Sequence, residues 1–295
     1  MPQLWLNNEF VDEPDASISV RDTGLLHAAG VFTTMKALGG RVIRSDAHLA
    51  RLRNSCDAMA IPLPYDDGTL ADAMTELLER NGFPDARMRL TITRGSARAE
   101  GAFLPTVLLT ATELQPYPQT LYERGMTVTV VDDQKLNPYD AQAGHKTLNY
   151  LSRLLALRSA NTRSAGEALW FDVHNYLQSG SISNVFIVKD GVITTPPTNL
   201  EMQDPQVNSV IPYPRSCVLP GVTRQAVIDA ARDEGIELQT RAIDIKTLLA
   251  ADEVFLTNSL MDVMPVCRIE RQAIGNELPG KITLTIAQQL RSNVG

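Results

Sequence analysis

Cysteine is scarce. The three in this 295-residue chain, Cys56, Cys217 and Cys267, stand too far apart to suggest a disulfide framework or a zinc knuckle. The four histidines, His27, His48, His145 and His174, are equally scattered, and without metal-ligand spacing no metal is expected. Positive charge is in deficit: 27 Lys and Arg against 34 Asp and Glu give a net charge of −7, with no basic run, which argues against nucleic-acid binding. No apolar stretch approaches the roughly 20 residues of a membrane span. The start, Met1-Pro2-Gln3-Leu4-Trp5-Leu6, lacks the basic-then-apolar layout of a secretory signal, so a reducing cytoplasm is the expected location. A Gly-rich nucleotide fingerprint, a P-loop, internal repeats and low-complexity segments are likewise missing. What is present is the composition of a globular protein, 44% hydrophobic and 21% charged, on a chain long enough for two domains.

Leu4-Trp5-Leu6 and Glu9-Phe10-Val11 read as strands about an Asn7-Asn8 turn, and residues 31–38 pair with Arg41-Val42-Ile43 across Gly39-Gly40. A helix is expected from about Ser45, as N-cap, through Met59, with Leu49, Leu52, Cys56 and Met59 at three-to-four spacing. Residues 70–80 repeat that pattern and stop at Asn81-Gly82. Apolar runs at 88–93 and 106–111 precede Pro116 and Pro118, where a domain boundary is placed, giving domains 1–118 and 119–295. In the second half, 126–131 and 168–171 read as strands, 185–188 and 192–195 as a hairpin across Lys189-Asp190-Gly191, and 254–257 as a buried strand. A helix opens at Gly221-Val222-Thr223-Arg224 and stops at Gly235. The proline-rich segment 195–221 is either a lid or an exposed loop. Strands first and mixed elements after, in two blocks, indicate the α+β class rather than a doubly wound parallel sheet.

Among the polar residues, Lys146 is placed for chemistry. It stands between the extended run 126–131 and a helix-like stretch at 148–160. A lysine in a partly desolvated pocket loses proton affinity and becomes a nucleophile toward an aldehyde; a solvated surface lysine is the other reading. Gly221-Val222-Thr223-Arg224 follows Leu219-Pro220, where a tight turn at the glycine aims the amides of a helix start at an anion. An ordinary helix N-cap has the same pattern. Arg51, in His48-Leu49-Ala50-Arg51-Leu52, has the planar fork that takes a phosphate bidentately, or it belongs to the exposed face of its helix. Thr257-Asn258-Ser259 offers hydroxyls and amides just after a buried strand.

These segments belong to an ordered series: Gly30-Val31-Phe32-Thr33-Thr34, His48-Leu49-Ala50-Arg51-Leu52, Thr93-Arg94-Gly95-Ser96, Lys146-Thr147-Leu148-Asn149, Ser183-Asn184-Val185-Phe186, Gly221-Val222-Thr223-Arg224 and Thr257-Asn258-Ser259. The series resembles the class-IV aminotransferases, the fold-type-IV enzymes that use pyridoxal 5'-phosphate (PLP), over about residues 3–275. That family holds branched-chain transaminases, D-amino-acid transaminases and 4-amino-4-deoxychorismate lyases. The resemblance implies two α+β domains like those of D-amino-acid aminotransferase, PLP in the cleft between them, a homodimer, and a small amino-acid-like substrate. On the matching positions it implies that Lys146 forms the Schiff base and moves the substrate proton. It assigns the phosphate to Arg51 and the amides of Val222 and Thr223, with Asn258 and Ser259 beside them. Tyr150 would reach the PLP phenolic oxygen, one residue nearer the lysine than the tyrosine of branched-chain transaminases.

One position departs from the pattern. The family pairs the pyridine nitrogen with a glutamate in a Glu-Gly-x-x-x-Asn run, and the run here is Gln178-Ser179-Gly180-Ser181-Ile182-Ser183-Asn184. Counting back from Asn184 puts Ser179 in the glutamate's place, with Gln178 the alternative if the hairpin is shifted. A carboxylate keeps the ring protonated and a strong electron sink, whereas a serine partners a neutral ring. Transamination is therefore expected to suffer more than α,β-elimination, and loss of catalysis is a third reading.

Three places lean toward the lyase. Phe32-Thr33-Thr34 is the Phe-Thr-Thr of some lyases, with Phe32 toward the substrate and the Thr34 hydroxyl toward the leaving group. Asn258-Ser259-Leu260-Met261 is similar to the lyase's Asn-Ala-Leu-Met run. Arg94-Gly95-Ser96-Ala97-Arg98 resembles a loop whose second arginine, here Arg98, takes a substrate carboxylate or else lies at the surface. The reaction implied is removal of pyruvate from 4-amino-4-deoxychorismate to leave 4-aminobenzoate. A transaminase of D-amino acids or branched-chain amino acids is the runner-up.

Overall fold

The computed structural model describes residues 1–97, 103–208 and 215–292. The chain forms two compact units, Met1–Pro116 with His145–Tyr150, and Tyr117–Gly144 with Leu151–Gly295. The lysine segment, expected within 119–295, packs instead with the N-terminal unit. Its backbone explains why: Thr147 bridges Val31, Phe32 N donates to Lys146 O at 2.9 Å, and Leu148 N donates to Gly30 O at 2.9 Å. A side chain on Gly30 would stand 2.8 Å from the backbone oxygen of Ile92 as well as 2.6 Å from Leu148 Cδ1, so glycine is needed for this approach.

Among the described residues, the first unit holds a six-stranded antiparallel sheet. Its strands are β1 (Gln3–Leu6), β2 (Glu9–Asp12), β3 (Gly30–Leu38), β4 (Arg41–Val42), β5 (Ala86–Ala97) and β6 (Phe103–Glu113), in the order β2-β1-β6-β5-β3-β4. Alternation along β3 divides its labour. Val31, Met35 and Ala37 join a core with Leu49, Leu52 and Cys56 of helix Ser45–Ala58 and Leu70, Met74 and Leu77 of helix Asp67–Asn81. Phe32 and Thr34 belong to the opposite face. The first of these helices begins after Arg44, which is left-handed at φ 54 and offers no side-chain cap, so Ser45 is a helical residue and not the N-cap. The second starts earlier than the leucine spacing suggested, because Asp66 Oδ1 accepts from Thr69 N at 2.7 Å. Strands β5 and β6 run well past their apolar segments, with a register shift between Thr93 and Ser96. Gly95 occupies that bulge at φ +76, where a Cβ would stand 1.6 Å from Leu104 O.

The second unit carries a nine-stranded sheet among the described residues: β7 (Met126–Val130), β8 (Glu167–Phe171), β9 (Leu177–Gly180), β10 (Asn184–Lys189), β11 (Val192–Thr195), β12 (Leu238–Thr240), β13 (Glu253–Asn258), β14 (Asp262–Ile269) and β15 (Gln272–Ala273). The order is β12-β11-β10-β13-β14-β7-β8-β9, with β15 on β14. Parallel pairs β11/β12, β14/β7 and β7/β8 mix with antiparallel ones, an α+β arrangement. Helices Val222–Asp233 and Lys281–Ser292 bury Val227, Ala230, Ile286 and Leu290 against Phe186, Phe255 and Val263. The described part of the proline-rich segment is tied down: Arg224 donates to both carboxylate oxygens of Glu201, at 3.0 and 2.9 Å.

The three cysteine thiols are free and buried. Among the described residues no helix is long and apolar enough to cross a membrane, and no cluster of His, Cys, Asp or Glu is arranged to hold a metal ion.

Candidate active site

The first unit places a lysine amine among aromatic rings. Lys146 Nζ lies 3.4 Å from Tyr150 Oη, 4.6 Å from the centre of the Phe32 ring and 4.9 Å from that of Tyr150. Phe32 and Tyr150 meet edge to face at 5.4 Å, and the Arg89 guanidinium stacks 3.6 Å over Phe32. Burial lowers the pKa of Arg89, as does neighbouring Arg87. Beside this cluster, Arg51 donates from Nη2 to Thr33 Oγ1 at 3.0 Å, and the same oxygen pairs with His48 Nδ1 at 2.8 Å. Desolvation brings Arg51 down to about 10, partly opposed by its electrostatic interaction with Tyr150. His48 falls to about 3, first through burial and then through Arg51, Arg44 and Lys146, so it is a neutral imidazole at physiological pH. His145 Nδ1 pairs with Ser55 Oγ at 3.0 Å, which ties the lysine segment to the helix bearing Arg51. The sequence pointed to Lys146, Tyr150, Phe32 and Arg51 together. Thr34 shares the Phe32 face, half-buried, opposite Arg89 in the strand register. It is Thr33, on the helix-facing side, that holds Arg51.

The second unit contains the run that departs from the family pattern. Ser179 is 5% exposed, and its Oγ accepts from Arg153 Nη1 at 3.2 Å. The same nitrogen donates to Gly180 O at 3.0 Å and Ser181 O at 3.4 Å. Gln178, one residue earlier and so on the other face of β9, is occupied elsewhere. Its amide donates to Asp172 Oδ2 at 2.8 Å and accepts from Cys217 N at 2.9 Å. The turn after Ser179 wraps a buried carboxylate: Glu167 accepts from Ala168 N, Ser181 N, Ile182 N and Ser183 Oγ, at 2.9–3.1 Å. Desolvation raises the pKa of Glu167 despite those four donors.

Helix Val222–Asp233 starts at Gly221, whose Cβ would lie 2.0 Å from Asn184 Oδ1. Among the described residues Gly221 offers no side-chain cap, and first-turn amides such as those of Val222 and Thr223 are the kind that take an anion at a helix start. Arg224 turns away to Glu201. On β13, Thr257 Oγ1 is buried without a hydrogen-bond partner among the described residues, on the face shared with Phe255 and this helix. Asn258 braces the next turn. Its Oδ1 accepts from Leu260 N and Met261 N, both at 2.9 Å, and its Nδ2 donates to Ile182 O at 3.3 Å. Ser259 follows, half-buried. Arg98 lies outside the described residues.

A phosphorylated pyridine aldehyde needs a lysine, a cation with helix-start amides for its phosphate, and a hydrogen-bonding group for its ring nitrogen. Lys146, the desolvated Arg51, the uncapped helix start with the orphaned Thr257 hydroxyl, and Ser179 are of the types required. Sequence reasoning missed Thr33, His48, Arg89, Arg153 and Glu167. Arg153 carried no local signal, since an arginine on an amphipathic helix reads as surface.

The chain matches the amino-transferase class IV family over residues 30–269. It is 33% identical to a putative branched-chain-amino-acid aminotransferase of Methanocaldococcus jannaschii, over 98% of this chain and 95% of that protein. It is 28% identical to the aminodeoxychorismate lyase of Bacillus subtilis, over 93% of this chain and 89% of that one. The structure superposes on the branched-chain amino acid aminotransferase of Escherichia coli at a TM-score of 0.88 and 26% identity, covering 99% of this chain and 94% of that chain. The chain belongs to the class IV aminotransferase family, with the fold of the type-IV PLP enzymes. It is an enzyme of that family, and the family's cofactor is PLP.

Proposed function

We propose that this enzyme is a lyase that removes pyruvate from 4-amino-4-deoxychorismate and leaves 4-aminobenzoate. The observation that carries the reading is the hydroxyl of Ser179 at the place of the family's carboxylate, held by an arginine. Bound PLP supplies an electron sink conjugated to the substrate nitrogen. Lys146 Nζ takes the proton from the substrate carbon bearing that nitrogen. The ether C–O bond to the enolpyruvyl group then breaks as the ring becomes aromatic, and the proton is returned to the departing group to give pyruvate. This route asks less of the electron sink than amino transfer does, because aromatisation drives it. Tyr150 holds the amine by its hydroxyl, and Phe32 and Arg89 wall the site beside it. Arg51 and the amides of Val222 and Thr223, with Ser259, serve the phosphate.

A second reading, transamination of branched-chain or D-amino acids, draws support from the higher identity to the Methanocaldococcus protein. The test is direct. Holoenzyme is incubated with 4-amino-4-deoxychorismate, and in parallel with D-alanine or L-leucine plus 2-oxoglutarate. Pyruvate and 4-aminobenzoate in equal amounts carry the lyase reading. Glutamate in the parallel reactions without those products carries the transaminase, and a Lys146-bound cofactor without turnover carries the non-catalytic reading. Exposed Leu151, Leu154 and Leu155, on one face of helix Leu151–Thr162, give a second copy of the chain an apolar surface to cover, so a homodimer is expected by light scattering.

A further inference from the structure

The hydrogen bond between Arg153 and Ser179 has a direction. A guanidinium has donors only, so in this pair Ser179 Oγ is the acceptor. Arg153 Nη1 is fixed there by two further acceptors, the carbonyls of Gly180 and Ser181, with its guanidinium 5.7 Å from the Trp170 ring. Trp170 Nε1 in turn donates to Ser181 Oγ at 2.9 Å, which locks the same turn from the other side. A serine hydroxyl that accepts from an arginine still has its own proton to give. We propose that Arg153 is a positioning residue that turns the Ser179 hydroxyl into a donor toward the pyridine nitrogen of bound PLP, so that the ring is held neutral throughout the reaction. The inference rests on the PLP reading above and says which protonation state the site selects.

Two effects act in the same sense. A pyridinium is itself a donor and would take the second lone pair of Ser179 Oγ, leaving the hydroxyl proton without the ring nitrogen as its acceptor. It would also place a second positive charge next to a guanidinium in a buried site, where like charges disfavour each other. A neutral ring meets neither obstacle. Gln178 does not compete for the role, since Asp172 and Cys217 N take both ends of its amide. Burial raises the pKa of Glu167, which works against an opposing negative charge there, and its hydrogen bonds go to Ala168, Ser181, Ile182 and Ser183.

The experiment is nitrogen NMR of holoenzyme reconstituted with PLP labelled with 15N in the ring, where neutral and protonated pyridine resonate far apart. The wild-type resonance is expected at the neutral position and unmoved from mildly acidic to mildly alkaline pH. Arg153→Met should shift it toward the pyridinium position and make it titrate, whereas Arg153→Lys, which keeps a cationic donor, should restore the wild-type spectrum. A pyridinium signal in the wild type overturns the inference, with no variant required. An unmoved resonance in folded Arg153→Met also overturns it and leaves Arg153 a structural brace. No labelled ligand retained, with Lys146 unmodified after borohydride, overturns the cofactor reading itself, and so the two failures are separable.

Discussion

Glu167 occupies the space that a side chain on Gly180 would need: a Cβ there would lie 2.8 Å from the carboxylate and 2.2 Å from Ser183 Oγ. The pair forms a turn around a buried carboxyl group, with the three amides and one hydroxyl that Glu167 gathers fixing the backbone after Ser179. Glu167→Ala leaves those donors buried without an acceptor and is expected to cost about 3 kcal/mol or more. Gly180→Ala should do comparable damage by displacing the carboxylate. Urea unfolding of the apoenzyme measures both, and a wild-type midpoint in either variant would contradict this account.

His48 makes stability depend on pH in a definite sense. Its folded pKa is about 3 against an ordinary value of 6.5, so as pH falls the unfolded chain takes up the proton first. The stability present above about pH 6.5 is therefore lost progressively as pH falls toward about 3, by about 1.4 kcal/mol per pH unit for this one group. Taking the apoenzyme from neutrality to about pH 5 should cost about 2 kcal/mol from His48. His48→Gln keeps a hydrogen-bonding partner for Thr33 and should remove that part of the slope. Chemical denaturation across this pH range, in wild type and variant, gives the comparison, and parallel slopes would exclude His48 as the cause.

Arg51 tests the phosphate assignment. Desolvation already lowers its pKa to about 10, so the apoenzyme bears a cost for burying this cation that a phosphate dianion, if bound there, would offset. Arg51→Met is expected to weaken PLP binding by roughly tenfold to a hundredfold, about 1.4–2.8 kcal/mol. The melting temperature of the apoenzyme should change little. Equal losses in both quantities would assign Arg51 to folding alone.

Much of the fold was legible because its cues are local. Apolar spacing at Leu49, Leu52 and Cys56 and at Leu70, Met74 and Leu77 marks helices that do bury those residues, and Lys189-Asp190-Gly191 marks the turn between β10 and β11. What was not legible depends on distant partners. Strand β9 spells Leu-Gln-Ser-Gly, a polar run that looks like loop, yet all four residues are buried because Asp172, Cys217 and Arg153 meet their polar groups. Strand β14 contains Pro265, which argues against a central strand, but the ladder takes it opposite Phe255. The lysine segment joins the N-terminal unit through backbone bonds to Gly30 and Phe32, which no composition shift announces. Order of motifs pointed to Lys146, Tyr150 and Arg51, whereas Arg153 is legible only once helix Leu151–Thr162 is seen beside β9.

Restoring the family's carboxylate tests the electron-sink argument, and the structure changes what the test should show. Ser179→Glu places an anion within reach of Arg153, now bonded to Ser179 Oγ at 3.2 Å, so arginine and ring nitrogen would share it. The single substitution is then expected to raise the rate of cofactor amination by L-glutamate only modestly. Ser179→Glu combined with Arg153→Met leaves the carboxylate to the ring and should raise it further, with a coupling of about 1–2 kcal/mol between the two sites. Single-turnover absorbance of the bound cofactor reads the rate in all four proteins of the cycle. Additive effects would mean that Arg153 does not act through residue 179, and an unchanged rate in the double variant would mean that ring protonation does not limit amino transfer in this enzyme.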